Sequence, residues 1–288
     1  MKKLCLFLLP LALFAKPFKV EEILSDKNEL KTDFSISYMN ITKKTEQFSP
    51  IVYETNQGDF VTIPTYEGSS SNQDYINYTQ GLKYGLTKDL EIFTNISFYT
   101  SSTHTSGDSF ETKNDNGFNS LNLGFNYLVK EEDDKPAFLV GLSTDILENT
   151  VYSDNSKNNE KFKSYSLFAT SYYTVDPLVF SLEADYGLNM KKELNNHSIN
   201  SGEVFTLTPQ VYFAINPFIN LNWGLKYQFN QKNRVDNKIV SNSGSSVGYL
   251  FGGSYEFSSK TVFELNYENS DTNDYSMNNI TATLSYKF

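Results

Sequence analysis

From residue 32 onward, hydrophobic residues recur at every second position, segment after segment, with polar residues between them. The clearest run is Ile219, Leu221, Trp223, Leu225, Tyr227 and Phe229, interleaved with Asn220, Asn222, Gly224, Lys226 and Gln228. Successive side chains of a strand point to opposite faces, so this period of two builds one apolar and one polar face. A helix would scatter both sets around its circumference. The pattern predicts about twelve strands, near 32–42, 75–85, 89–100, 118–129, 137–147, 164–174, 178–189, 203–214, 219–230, 245–257, 261–268 and 278–288. Each is close to the ~9 to 11 residues with which a tilted strand crosses a bilayer.

The connections alternate in length. Short turns fall at Gly85 to Lys88, Lys130 to Pro136, Val175 to Pro177, Asn216-Pro217 and Ser258 to Lys260. Long polar loops lie between them, at about 43–74, 101–117, 148–163, 190–202, 231–244 and 269–277. Short turns at one end and long loops at the other are the layout of an outer-membrane barrel, and an even strand number puts both termini on the periplasmic side. The expected fold is therefore all-β: a closed, antiparallel, up-and-down transmembrane barrel over 32–288. Two features complicate it. Pro209 lies on the apolar face of its strand without a donor for the ladder, which predicts a bulge there. The runs Ile51-Val52-Tyr53 and Phe60 to Ile63, inside the first long loop, fit an extracellular hairpin or a segment folded into the lumen, more readily than two further transmembrane strands that would make fourteen.

Both ends of the chain carry signals. Met1-Lys2-Lys3, an apolar stretch from Leu4 to Phe14 and a small residue at Ala15 read as a secretory signal spanning 1–15. The sole cysteine, Cys5, would leave with it, which removes disulfides and thiol chemistry from the mature chain. No later run approaches the ~18 apolar residues of a spanning helix. Residues 16–31 carry Phe18, Val20, Ile23, Leu24 and Leu30 among charged residues, a pattern that permits a short amphipathic helix. That segment is either a periplasmic tail or a plug entering the lumen through Val20, Ile23 and Leu24. At the other end, Ile280, Ala282, Leu284, Tyr286 and Phe288 alternate back from a terminal phenylalanine, resembling the signature that barrels present to their assembly machinery.

Composition narrows the function. A formal charge of −10 and a single arginine, Arg234, argue against a nucleic-acid partner, because phosphate neutralisation needs a basic surface. His104 and His197 fall in different long loops, outside any recognisable nucleophile or metal spacing. The stretches Asn114 to Gly117 and Asp271 to Asp274 lack the ligand spacing of a defined calcium loop. No catalytic, cofactor or metal residues are assigned on this basis. With apolar residues turned to lipid, the alternation directs Asp33, Glu91, Asp145, Glu183, Asp185, Glu256, Glu264 and Glu268 inward, against Lys83, Lys226 and Lys287. Lys83, Glu91, Asp145, Glu183, Asp185, Lys226 and Glu264 are the expected pore-lining set. An open lumen of this kind would prefer cations or neutral polar solutes. Alternatively these groups pair, Glu264 with Lys226 for example, and fill the barrel. Twelve strands lie between the filled barrels of ~8 and the open ones of ~16, so strand number leaves both readings standing.

The stretch Val20-Glu21-Glu22-Ile23-Leu24, a first strand, a long polar loop, and then Tyr84-Gly85-Leu86-Thr87-Lys88-Asp89-Leu90-Glu91 resembles the barrel family linked to phenol meta-pathway degradation. Within that family the chain is similar to the outer-membrane secretion barrel of Fap-type functional amyloid systems. The likeness is specific over about residues 20–100. It implies an export channel with a plug helix, carried here on Val20 to Leu24. The family's periplasmic coiled coil is expected to be missing, since only a short segment separates the signal from the first strand. The resulting expectation is an outer-membrane channel or export pore without catalysis or organic cofactor, or else an adhesin or receptor whose barrel anchors long loops. Its partners would be outer-membrane lipid and lipopolysaccharide, the barrel-assembly machinery, and a solute or an exported polypeptide.

Overall fold

The computed structural model describes residues 24–44, 50–55, 60–63, 71–105, 111–151, 156–194 and 196–288. Twelve long strands among them build one barrel: β1 (Leu30–Lys43), β4 (Ser71–Gly85), β5 (Leu90–Thr105), β6 (Glu111–Lys130), β7 (Ala137–Val151), β9 (Ser164–Val175), β10 (Leu178–Asn189), β13 (Val204–Asn216), β14 (Ile219–Asn230), β17 (Gly244–Ser258), β18 (Thr261–Asp271) and β19 (Tyr275–Lys287). Every neighbouring pair is antiparallel, and each strand lies beside the next long strand in the chain. The ring closes where the first strand meets the last, with Phe34 opposite Leu284 and Tyr38 opposite Ile280. Closure leaves no unpaired edge, which a sheet in hydrocarbon requires.

The period of two sorts the side chains as expected. Phe34, Ile36, Tyr38, Phe125, Leu221, Trp223, Phe251 and Leu284 are exposed on the outer surface. Asp33, Ser35, Ser37, Asn77, Thr79, Asn95, Thr206, Thr281 and Thr283 are buried inside. A soluble protein has the reverse arrangement, and an apolar exterior of this extent marks a membrane-facing surface.

Most strands run further toward the long-loop end than alternation predicts. β6 starts at Glu111 and β4 at Ser71. His104, expected in a loop, lies near the end of β5 and bonds Thr112 across the ladder at 3.1 Å. His197 opens β12 (His197–Asn200), which belongs to a four-stranded sheet above the barrel with β11 (Lys192–Leu194), β15 (Asn233–Val235) and β16 (Lys238–Ser241). A short strand, β8 (Lys157–Glu160), extends β7. The bulge expected at Pro209 is absent. β13 keeps one register on β14 to either side of it, Leu207 opposite Tyr227 and Gln210 opposite Gly224, and the irregularity falls at Ala214–Asn216 instead. Proline's missing N–H interrupts the ladder locally without inserting a residue.

Two segments enter the lumen. From the long-loop end comes a hairpin, β2 (Ile51–Glu54) with β3 (Phe60–Ile63). Ile51, Tyr53, Val61 and Ile63 pack against Met39 and Ile41 of β1, Tyr75 of β4, Tyr99 of β5, and Tyr275 and Met277 of β19. This settles the alternatives for the first long loop in favour of inward folding. From the short-turn end comes Leu24–Glu29, which lies against Gly85: Asn28 N donates to Gly85 O at 2.7 Å, and Gly85 N to Glu29 O at 3.1 Å. A Cβ on residue 85 would sit 2.0 Å from the Asp26 carbonyl oxygen, so the crossing requires glycine. Leu24–Glu29 is irregular, not helical. The rest of the expected helical segment, with Val20 and Ile23, and the expected signal over 1–15 lie outside the described residues.

Candidate functional site

The interior of the barrel is the site, and the hairpin is its centre. Glu54 ends β2 and points at the wall formed by β10, β13, β14 and β18. Its carboxylate lies 2.9 Å from Lys226 Nζ, which also reaches Glu268 at 3.7 Å. All three side chains are less than a tenth exposed. The ammonium lies 5.5 Å from the centre of the Tyr53 ring. Thr206 Oγ1 is 3.1 Å from Glu54 Oε2 and 3.3 Å from Asp185 Oδ2. Asn279 Nδ2 donates to the Tyr53 hydroxyl at 2.5 Å, and Asn233 Nδ2 to the Pro50 carbonyl at 3.2 Å. Phe60 seats over Gly187 of β10, where a Cβ would come within 2.9 Å of the ring.

Two cavities border the hairpin. A cavity of about 160 Å³ on the long-loop side is lined by Pro50, Ile51 and Val52 together with Asn233, Ser241 and Tyr275. A second cavity, of about 220 Å³, is lined by Glu54 and Thr55 and runs along Glu183, Gln210, Lys226, Glu264 and Glu268 to Asn220 and Ser254, near the short turns. The same strand, β2, bounds both.

At the short-turn mouth the N-terminal segment makes a second obstruction. Glu91, fully buried, accepts hydrogen bonds from Ser25 N and Ser25 Oγ, each at 2.6 Å, and from Asn126 Nδ2 at 2.9 Å. Lys31 Nζ donates to the Leu24 carbonyl at 2.8 Å. The Leu24 side chain reaches across to Ala137, Leu139, Tyr172 and Val179 on β7, β9 and β10.

The seven residues expected to line the lumen all face inward, but they do not form one ring. Lys83 pairs with Asp33 at 2.8 Å, and Asp145 accepts from Asn122 at 3.2 Å. Glu183 and Asp185 gather with Glu54, their carboxylate oxygens within 4.8 Å of one another. Lys226 pairs with Glu54 and Glu268, not with Glu264. Alternation alone missed Glu54, which falls inside the predicted first long loop, and Lys31, one residue before the predicted first strand. It also missed the buried pair Lys192 and Glu148. Of the residues at the C-terminus, Ile280, Leu284, Tyr286 and Phe288 are exposed on the outer face, with Ala282 between them. In the sheet above the barrel, a 2.8 Å hydrogen bond with His197 Nδ1 and one from Ser198 N hold the Asp236 carboxyl below the usual carboxylate range.

A closed twelve-stranded barrel, apolar outside and polar inside, defines the class of outer-membrane β-barrels. Residues 129–288 match the outer membrane protein beta-barrel domain, more than half of the chain, and the protein belongs to that family. Its place is the outer membrane. No curated protein matches the sequence. Among solved structures the chain is similar to an outer membrane channel from Pseudomonas putida F1, with a TM-score of 0.63, 11% identity, and 91% of this chain and 96% of that one covered. It is similar to the translocator domain of the autotransporter NalP from Neisseria meningitidis, with a TM-score of 0.55, 10% identity and coverage of 91% and 90%. The monoaromatic hydrocarbon channel CymD gives a TM-score of 0.51, 10% identity and coverage of 93% and 89%. At these identities the likeness is one of fold.

Proposed function

We propose that the protein is an outer-membrane channel whose lumen is held shut by its own hairpin β2–β3, with the short turns and both termini on the periplasmic side. One observation carries this reading: β2 is packed inside the barrel and lines two cavities, Ile51 and Val52 the one at the long-loop rim and Glu54 the one that runs toward the short turns. A barrel serving only as an anchor needs no such occupant. It can be filled by the side chains of its own strands, as small barrels are. Here the space is occupied by a loop segment joined to the barrel through side chains, and such an occupant can be withdrawn without breaking a barrel strand.

The lining of the larger cavity sets the cargo. Carboxylates and amides from Glu183, Gln210, Asn222, Glu264 and Glu268, with the hydroxyls of Thr208 and Ser254, dominate it. Such a surface suits cations and neutral polar solutes, and hydrocarbons of the kind that CymD is named for would leave these groups unsolvated. Leu24 and Ser25 act as a second stop at the periplasmic mouth, which is the plug role implied by the resemblance to the Fap-type secretion barrel. That resemblance, and the wider affinity with meta-pathway barrels, rests on residues 20–100 and supports a conducting role. The terminal Ile280 to Phe288 set serves recognition by the assembly machinery. A second reading, a barrel that presents a recognition surface, draws on the four-stranded sheet above the rim.

The test is solute entry into proteoliposomes. Vesicles carrying the folded wild-type barrel are expected to admit a small sugar slowly, and vesicles carrying a variant with residues 50–63 deleted to admit it fast. Equal impermeability of both folded proteins would leave the anchoring reading in its place.

A further inference from the structure

We infer that Glu54, Glu183 and Asp185 form a binding site for a divalent cation of the calcium type, which ties the hairpin to strand β10. Two independent observations meet here. The first is geometric: the three carboxylates come from two separate parts of the chain, and one oxygen of each lies within 4.8 Å of the others. One Ca²⁺ ion takes oxygen ligands at ~2.3–2.6 Å, so any two of its ligands fall within a span of about 5 Å; its flexible coordination suits three carboxylates from two parts of the chain, whereas Mg²⁺ demands near-ideal octahedral geometry and keeps several of its waters.

The second is an unsatisfied group. Asp185 is 1% exposed, and its Oδ1 has no hydrogen-bond donor among the described residues. Such an atom is costly to bury unless something positive or a proton sits against it. Lys226 does not supply that partner, because its ammonium is engaged by Glu54 and Glu268. Glu183, which borders the larger cavity, has no ion pair among the described residues either. One ammonium thus faces four carboxylates, two of them without a counter-charge. A divalent ion between Glu54, Glu183 and Asp185 corrects this imbalance, with the Thr206 hydroxyl beside it as a neutral oxygen. Water in the adjoining cavity completes the shell and provides the entry path. Since Glu54 belongs to the hairpin and the other two to the wall, binding also fixes the hairpin in place.

The experiment uses the folded barrel in zwitterionic detergent, free of lipopolysaccharide, titrated calorimetrically with CaCl₂ and separately with MgCl₂. One saturable calcium site is expected, weakened at least ~10-fold by Glu183→Gln or Asp185→Asn and unchanged by Asp134→Asn, an exposed turn acid that controls for surface binding. Absence of a saturable site, equal affinity in wild type and Glu183→Gln, or magnesium binding as tightly as calcium would overturn the assignment. A second readout avoids the acidic variants altogether. An Ile63→Cys barrel should react with a maleimide faster in EDTA than in calcium, and equal rates would refute the tie between ion and hairpin.

Discussion

Replacing Lys226 with alanine removes the ammonium that, among the described residues, holds Glu54, and the structure sets the size of the effect. Lys226, Glu54 and Glu268 are each less than a tenth exposed, so the variant leaves two carboxylates nearly buried without a counter-ion. Breaking a buried pair on one side costs ~3–5 kcal/mol, and the cavity beside Lys226 admits water, which favours the lower end. Glu268 is fixed in β18, whereas Glu54 can leave with its hairpin. The barrel therefore relieves the cost by releasing the hairpin, and each 1.4 kcal/mol is a tenfold shift in that equilibrium. The released population should rise about 10²-fold. It stays a minority, because Ile51, Tyr53, Val61 and Ile63 together hold the hairpin by more than this, at ~1.5–3 kcal/mol for each buried apolar side chain. The assay is the fraction of time spent conducting in a planar bilayer with EDTA present. Glu54→Gln should have a smaller effect, since Lys226 then keeps Glu268, and adding it to Lys226→Ala should return the barrel toward the wild type. A folded Lys226→Ala barrel as closed as the wild type, or less open than Glu54→Gln, would refute the reasoning.

Three further outcomes follow from single contacts. Gly85→Ala forces a methyl group to within 2.0 Å of the Asp26 carbonyl oxygen, so the N-terminal segment must lift; proteolysis of that segment in the folded barrel should accelerate severalfold. The folded-state pKa of Asp236 lies below its ordinary value of 3.8, so its contribution to the sheet above the barrel is full above about pH 4 and fades as the pH falls through the lower folded value. The protection of the Ser198 N–H, which donates to Asp236, measured against its intrinsic exchange rate, should fall over that acid range, and Asp236→Asn should flatten the dependence. Phe288→Ala should slow insertion of the chain by the assembly machinery while leaving refolding in detergent unchanged, because the ring stands exposed on the outer face.

The barrel was legible because a wall between lipid and water imposes a strict alternation on every strand that crosses it. Where the strands rise above the membrane, the outer face no longer has to be apolar and the constraint lapses. Glu111 to Asn116 on β6 and Ser101 to Thr105 on β5 are polar throughout, and alternation assigned them to loops. The inward direction of the charged residues was legible for the same reason, but their partners were not. Glu54 lies on a four-residue run whose apolar pattern fits a hairpin in the lumen as well as one outside, and only the contact of Glu54 with Lys226 and those of Ile51 and Tyr53 with the cluster around Tyr75 decide between them. Pro209 misled through a sound rule, since a missing donor weakens a ladder without having to shift it.

The central claim is that a removable segment closes an otherwise conducting barrel. It is tested most directly by single-channel recording of the wild type and the 50–63 deletion, under a salt gradient. The account predicts rare, brief openings for the wild type and a steady conductance for the deletion, with a reversal potential on the cation-selective side. Identical silence from both folded barrels, or a wild type already as conductive as the deletion, would contradict it.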